Sequence, residues 1–234
     1  MNQLEFYKII NQNKMVVLSS KDISRLINKT SDYTKVFLSR VRKNNLLHFI
    51  ERGKYCKLET SEFEVASNIL FPSYISFLSA LSIQGFTDQI PVEISLVALK
   101  QRPSFYFKNY RINFSTFPKK LFFGYSRRDN FYIADPEKAI LDSLYLNSVP
   151  LNEIVKIINE SDLSIDKLID YSLKMDSKIL LKRLGYILEL LDIPDNKVLL
   201  SNINTQRIDV LNPSIAHTGN KNKKWHLLIN EDIF

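Results

Sequence analysis

One cysteine in 234 residues, Cys56, leaves no partner for an internal disulfide and excludes any multi-cysteine metal site. Histidine is nearly as scarce, and His48, His217 and His226 show none of the one-turn spacing of paired metal ligands. No phosphate-cradling loop or dinucleotide fingerprint is formed from the five glycines. No run reaches about 18 consecutive apolar residues, and Met1 to Asn11 lacks a basic segment followed by an apolar one. A membrane span, a secretory leader, a metal and a cofactor are therefore not expected, and the expected location is the cytoplasm. Hydrophobic residues at 45% and charged ones at 24% are proportions of a folded chain rather than a disordered one.

Acid is also scarce where base is plentiful. Residues 1–60 hold twelve of the 32 Lys/Arg and five of the 25 Asp/Glu, so this block carries the whole formal excess of +7. The remaining residues are balanced. A basic excess confined to one block is the expected footprint of a surface that meets phosphates.

Within that block, Leu4, Phe6, Tyr7, Ile9 and Ile10 predict a short first helix with one buried face. Val16-Val17-Leu18 is a brief strand or connector. Ser19 and Asp22 form a capping-box start, and Ile23, Leu26 and Ile27 give a second helix of about two turns. Ser31 or Asp32 caps a third, running to about Lys43. Thr34, Phe37, Leu38 and Val41 share one side of it; Lys35, Ser39, Arg40 and Lys43 take the other, with Val36 among them and Arg42 at the margin. Two apolar runs joined around Arg52-Gly53-Lys54 read as a hairpin. Three helices and a basic-tipped hairpin are the pattern of a winged helix-turn-helix over residues 1–60. In such a fold one helix enters the major groove while other cations hold phosphates. Lys35, Ser39 and Arg40 are the candidates for the groove. Arg42, Lys43, Lys21 and Arg25 are candidates for phosphates, and Arg52 and Lys54 for the wing. A solvated charged face, or a winged helix that binds protein, is the alternative.

Residues 61–234 read as a second, larger domain, making the whole chain α+β. Glu62 to Leu70 is a linker or short helix, Phe71-Pro72 a break, and Tyr74 to Gln84 a helix striped by Tyr74, Phe77, Leu78 and Leu81. A β-rich, antiparallel-type stretch follows over 91–133, with strands at Val92–Leu99, Ser104–Phe107, Arg111–Ser115, Leu121–Phe123 and Asn130–Ile133. A helical bundle is expected over 135–191, in helices 135–146, 151–159, 165–175 and 177–191. Asp135-Pro136-Glu137 opens it with an oxygen cap, a first-turn proline and an acid near the positive dipole end. Strands return over 208–229, at Ile208–Leu211 and Trp225–Ile229.

The string Asp135-Pro136-Glu137-Lys138-Ala139-Ile140-Leu141-Asp142 resembles the hallmark of the AbiEi-type antitoxins of type IV toxin–antitoxin systems. Three further stretches fit the same pattern in the same order: residues 74–81, 182–189 and 224–230. With the basic segment in front, the resemblance spans nearly the whole chain. It implies a winged helix that binds inverted repeats in double-stranded operator DNA and represses its own operon. It also implies a C-terminal domain that counters a nucleotidyltransferase-like toxin without a stable complex. Asn44-Asn45 stands where many winged helices carry glycine; Asn tolerates left-handed backbone angles.

Catalysis has little foothold. The helix-start reading accounts for Asp135 and Glu137 without chemistry, and Glu93 and Lys100 lack a third partner for a nuclease. Between Ile94 and Arg128 eight cations occur without an acid, interleaved with Phe105, Tyr106, Phe107, Tyr110 and Phe114. Lys119, Lys120, Arg127 and Arg128 form a possible second basic surface suited to single strands; a sheet with rings inward and lysines outward is the plainer reading. The rival to the antitoxin is a winged-helix regulator with a ligand-sensing or assembly domain.

Overall fold

The computed structural model describes residues 3–194 and 197–233, and the fold they form is mixed α+β. The first segment runs α1 (Gln3–Gln12), β1 (Leu18–Ser19), α2 (Ser20–Leu26), α3 (Ser31–Lys43), β2 (His48–Glu51) and β3 (Lys54–Cys56). The Ser19/Asp22 capping box forms as the sequence predicts. The cap of α3 is Thr30, one residue ahead of the expected Ser31 or Asp32, with its hydroxyl accepting from the Tyr33 amide. Leu18 strengthens its connector by pairing with Tyr55, which gives a three-stranded sheet in the order β1-β3-β2. Phe6, Ile10, Leu18, Ile23, Ile27, Phe37, Leu38, Val41 and Leu47 form one apolar cluster. The side chain of Leu4 lies outside the described residues.

Next come α4 (Glu62–Asn68), β4 (Ser73–Ile75), α5 (Phe77–Ile83), β5 (Glu93–Ala98), β6 (Phe105–Phe107) and β7 (Tyr110–Thr116). A 3₁₀ turn at Lys119–Leu121 leads to β8 (Tyr125–Arg128) and β9 (Phe131–Ala134). These strands build one six-stranded sheet in the order β6-β7-β5-β4-β9-β8. Three expectations fail here. The sheet is mixed rather than antiparallel, because β5–β7 and β4–β9 are parallel pairs. Tyr74 is a central strand residue, not the start of a helix: Ser73, Tyr74 and Ile75 are all buried between β5 and β9, and α5 begins only at Phe77. The expected strand Leu121–Phe123 is also displaced; Leu121 ends the 3₁₀ turn, and pairing starts at Tyr125.

The helices α6 (Pro136–Leu146), α7 (Leu151–Glu160), α8 (Ile165–Met175) and α9 (Lys178–Leu190) fall within a residue of the sequence reading. After them come α10 (Lys197–Asn202), β10 (Asp209–Val210), β11 (Asn220–Asn222) and β12 (Leu227–Ile229), of which α10 and β11 were not anticipated. Gly185 lets the Trp225 ring lie on α9: a Cβ there would stand 2.1 Å from the ring. The indole N–H of Trp225 donates to Glu189. The larger apolar cluster runs through all this and takes in Ile50 and Cys56 from the β2–β3 hairpin. The hairpin is thus shared, one part of it packing on the small cluster and another on the large one.

Candidate nucleic-acid interface

Helix α3 divides as its spacing predicts. Thr34, Phe37, Leu38 and Val41 are buried, while Lys35, Val36, Ser39, Arg40, Arg42 and Lys43 are exposed. Arg40, Arg42 and Lys43 occupy the last turn, where cations complement the negative end of the helix dipole. Asn45 takes φ of 49°, the left-handed angle that turns the chain from α3 into β2. Lys21 and Arg25 are exposed on α2.

The hairpin is held against these helices. The Gly53 carbonyl, at φ of 75° in the turn, accepts from the Ser20 amide at 2.9 Å. That bond brings the turn that carries exposed Arg52 to the start of α2. Arg42 lies over the Phe49 ring at 4.4 Å, tying the end of α3 to β2. Lys35 contacts Asp32 at 2.9 Å, a highly exposed pair whose net worth is small. Among the described residues Lys21, Arg25, Arg40, Lys43 and Arg52 make no ion pair.

Lys54 faces elsewhere. Its ammonium pairs with Glu51 at 3.0 Å and donates to the Ile69 carbonyl at 3.3 Å, so it anchors the hairpin instead of projecting from its tip. Glu51 also receives Arg102 at 2.6 Å. Burial alone would raise the Glu51 carboxyl, but the hydrogen bonds from Arg102 and Lys54 outweigh it and hold the group below its ordinary range. No signal in the sequence pairs Glu51 with Arg102, which stands 51 positions further on.

The second basic stretch disperses. Lys119 and Lys120 are exposed on the 3₁₀ turn, and Arg127 and Arg128 on the edge strand β8. Arg127 donates to the Asp129 carbonyl at 2.9 Å. Arg102 and Lys108 are spent on Glu51 and Glu62. The interleaved rings are mostly inward: Phe107 is buried, Phe105 stacks on Phe114, and Tyr110 leans on Phe63, leaving Tyr106 exposed. No known family model matches this chain, and no curated protein does.

Asp135 and Glu137, weighed as catalytic, each tie one helix to another. Asp135 sits at the N-cap of α6 but makes no capping bond; it accepts instead from the Tyr171 hydroxyl at 2.9 Å and pairs with Lys167 at 3.1 Å. Glu137 accepts from the Ser164 amide and pairs with Lys167. Both therefore fasten α8 to the start of α6. No group of three potential metal ligands occurs among the described residues.

What sequence reasoning missed is a buried polar knot. Lys138 contacts Asp142 one turn along α6, and Asp142 also accepts from Ser76 at 2.7 Å and Tyr74 at 3.2 Å, with both charges fully buried. The signal was two opposite charges at i,i+4 inside an otherwise apolar helix. Lys182 likewise reaches Asp209 at 2.8 Å, and Arg183 donates to the Leu144 and Val210 carbonyls at 3.1 Å. The four stretches that carry the resemblance are thus each other's packing partners.

Proposed function

We propose that this chain is a DNA-binding repressor of its own operon and the antitoxin of a type IV toxin–antitoxin pair. The single observation that carries the DNA-binding half is the outward face of α3, where Lys35, Ser39, Arg40 and Lys43 stand exposed opposite the buried face of Thr34, Phe37, Leu38 and Val41. The order helix, strand, helix, helix, strand, strand supports a winged helix-turn-helix, with α3 as the groove helix and the Arg52 turn as the wing. Lys21, Arg25, Arg42 and Lys43 then hold phosphates, and Lys35, Ser39 and Arg40 meet base edges. Inverted repeats bring two copies to one operator.

The antitoxin half rests on the order and spacing of the four stretches that the folded chain packs together. The proposed partner is a nucleotidyltransferase-like toxin, countered without a stable complex. The domain boundary near residue 60 belongs to the same reading.

Two measurements test it. Fluorescence anisotropy on the DNA upstream of the gene is expected to give specific binding that weakens steeply with salt, as several released counterions require. Salt-independent binding, or none, overturns the repressor. Co-expression with a neighbouring nucleotidyltransferase is expected to restore growth, and failure to do so removes the antitoxin.

A further inference from the structure

A cavity of about 510 Å³ opens between the start of α5 and the N-terminal half of β5, and nothing in the repressor reading uses it. Its volume falls in the range of about 300–1,000 Å³ that takes cofactor-sized organic ligands, far more than an inorganic anion fills. Its frame is well fixed. The Ser76 amide donates to the Ser95 carbonyl, and the Ser79 hydroxyl both donates to the Glu93 carbonyl and accepts from the Ser95 amide, each at 3.0 Å. Phe77, which lines the cavity, is buried at φ of 57°. An aromatic residue held in the left-handed region is strained, and such strain concentrates at ligand sites.

The polar lining has a definite chemistry. Glu93 accepts from the Asn113 amide and from the Ser95 hydroxyl at 3.2 Å, leaving a carboxylate with acceptor capacity beside an amide. That pair suits the donor–acceptor edge of a heterocycle or a ribose diol. Arg102 contributes the positive charge. One of its terminal nitrogens holds Glu51, and among the described residues its buried Nε–H has no hydrogen-bond partner, a vacancy that an anionic oxygen reaching it would fill. Phe77 and Phe114 supply flat apolar walls, and Ile90 and Val92 stand 84% and 87% exposed on the loop that borders the opening.

We propose that this cavity binds a nucleoside monophosphate, with the phosphate on Arg102, the base or ribose edge on Glu93 and Asn113, and the ring against Phe114. Arg102 also makes the site an effector site: its guanidinium joins the cavity to Glu51 on the hairpin. An oxygen on Nε leaves the Glu51 bond in place and immobilises Arg102, which stiffens the hairpin beside α3. This coupling, unlike the binding itself, rests on the DNA-binding reading.

Isothermal titration of the full chain with AMP, GMP, CMP and UMP is expected to give saturable one-site binding for at least one of them. Inorganic phosphate and the free nucleoside should bind at least tenfold more weakly. Glu93→Gln and, separately, Ser104→Phe, which fills the mouth from an exposed position, should each lower affinity tenfold or more without lowering the melting temperature. No binding by any of the four, equal binding by inorganic phosphate, or unchanged affinity in the variant that keeps its fold overturns the site. Anisotropy on operator DNA with saturating nucleotide is expected to show affinity raised about fivefold or more, and Glu51→Gln should abolish that gain while nucleotide still binds. An unchanged DNA affinity overturns the coupling. DNA binding absent under all conditions sinks the repressor reading alone, since the calorimetry still decides the cavity.

Discussion

Lys138 and Asp142 sit where ionised groups are expensive. Burial pushes the Asp142 carboxyl up and the Lys138 ammonium down; their contact opposes both shifts, and the hydroxyls of Ser76 and Tyr74 further oppose the first. Removing one partner strands the other, which costs about 3–5 kcal/mol for a buried pair. Lys138→Met and Asp142→Asn are therefore each expected to destabilise more than the double variant, a comparison that urea denaturation of the three proteins checks. Burial also drives the Cys56 thiol up to about 12. The thiolate is the reactive form, so a disulfide reagent at neutral pH should label Cys56 only as fast as the hairpin or the whole chain opens. Rapid labelling of the native protein would contradict the buried hairpin. At Glu51 the sign runs the other way: its pKa is depressed below the ordinary 4.5 in the folded state. Its stabilising contribution is thus present above pH 4.5 and is lost as the pH falls through the lower, folded value. The melting-temperature gap between the native chain and Glu51→Gln is expected to narrow as the pH falls from 7 through the acid range.

At the scale of elements, α3 makes the sharpest claim. Arg40→Ala and Lys43→Ala should each weaken DNA binding, and a lost phosphate contact lowers the slope of log affinity against log salt by about 0.9. A base contact instead costs about 1–3 kcal/mol and relaxes preference at one position. Anisotropy titrations at several salt concentrations separate the two roles. Lys54→Ala is expected to lower stability with little direct effect on that slope, because its charge is turned toward Glu51 and Ile69. The face of α3 was legible because a 3.6-residue period is written in neighbouring residues, although the cap falls on Thr30, one residue ahead of the expected position. The inward turn of Lys54 was not, since only one of its acceptors, Glu51, is local and the other, the Ile69 carbonyl, lies 15 positions away. The same locality explains the misreading at Tyr74. Phe77, Leu78 and Leu81 are truly helical, in α5, and Tyr74 shares their spacing by coincidence, whereas β4 exists because β5 and β9 offer it partners on both edges. The parallel pairing of β5 with β7 is equally non-local, and no turn signal announces it. The cavity walls went unseen for the same reason, with Glu93 and Asn113 brought together only by that pairing.

Across the whole molecule, chain order and spatial order diverge. The inner face of α9 is completed by Trp225, and Lys182 and Arg183 find their acceptors at Asp209, Arg207 and Val210. Gly185→Ala drives a methyl group into the indole and should cost about 1–3 kcal/mol, as overpacking does. Trp225→Ala should cost about 3–5 kcal/mol, as loss of a buried aromatic does. Thermal melts of both, each against the native chain, check the order of the two effects.

The hairpin's split allegiance has a mechanical consequence. With Ile50 and Cys56 sunk in the large cluster and the Gly53 carbonyl bonded to α2, the hairpin ties the first three helices to the rest of the molecule and restricts their independent motion. A pair of copies on an inverted repeat would then tolerate little variation in the distance between half-sites, and inserting a few base pairs between them should abolish binding where a flexible tether would have absorbed the change.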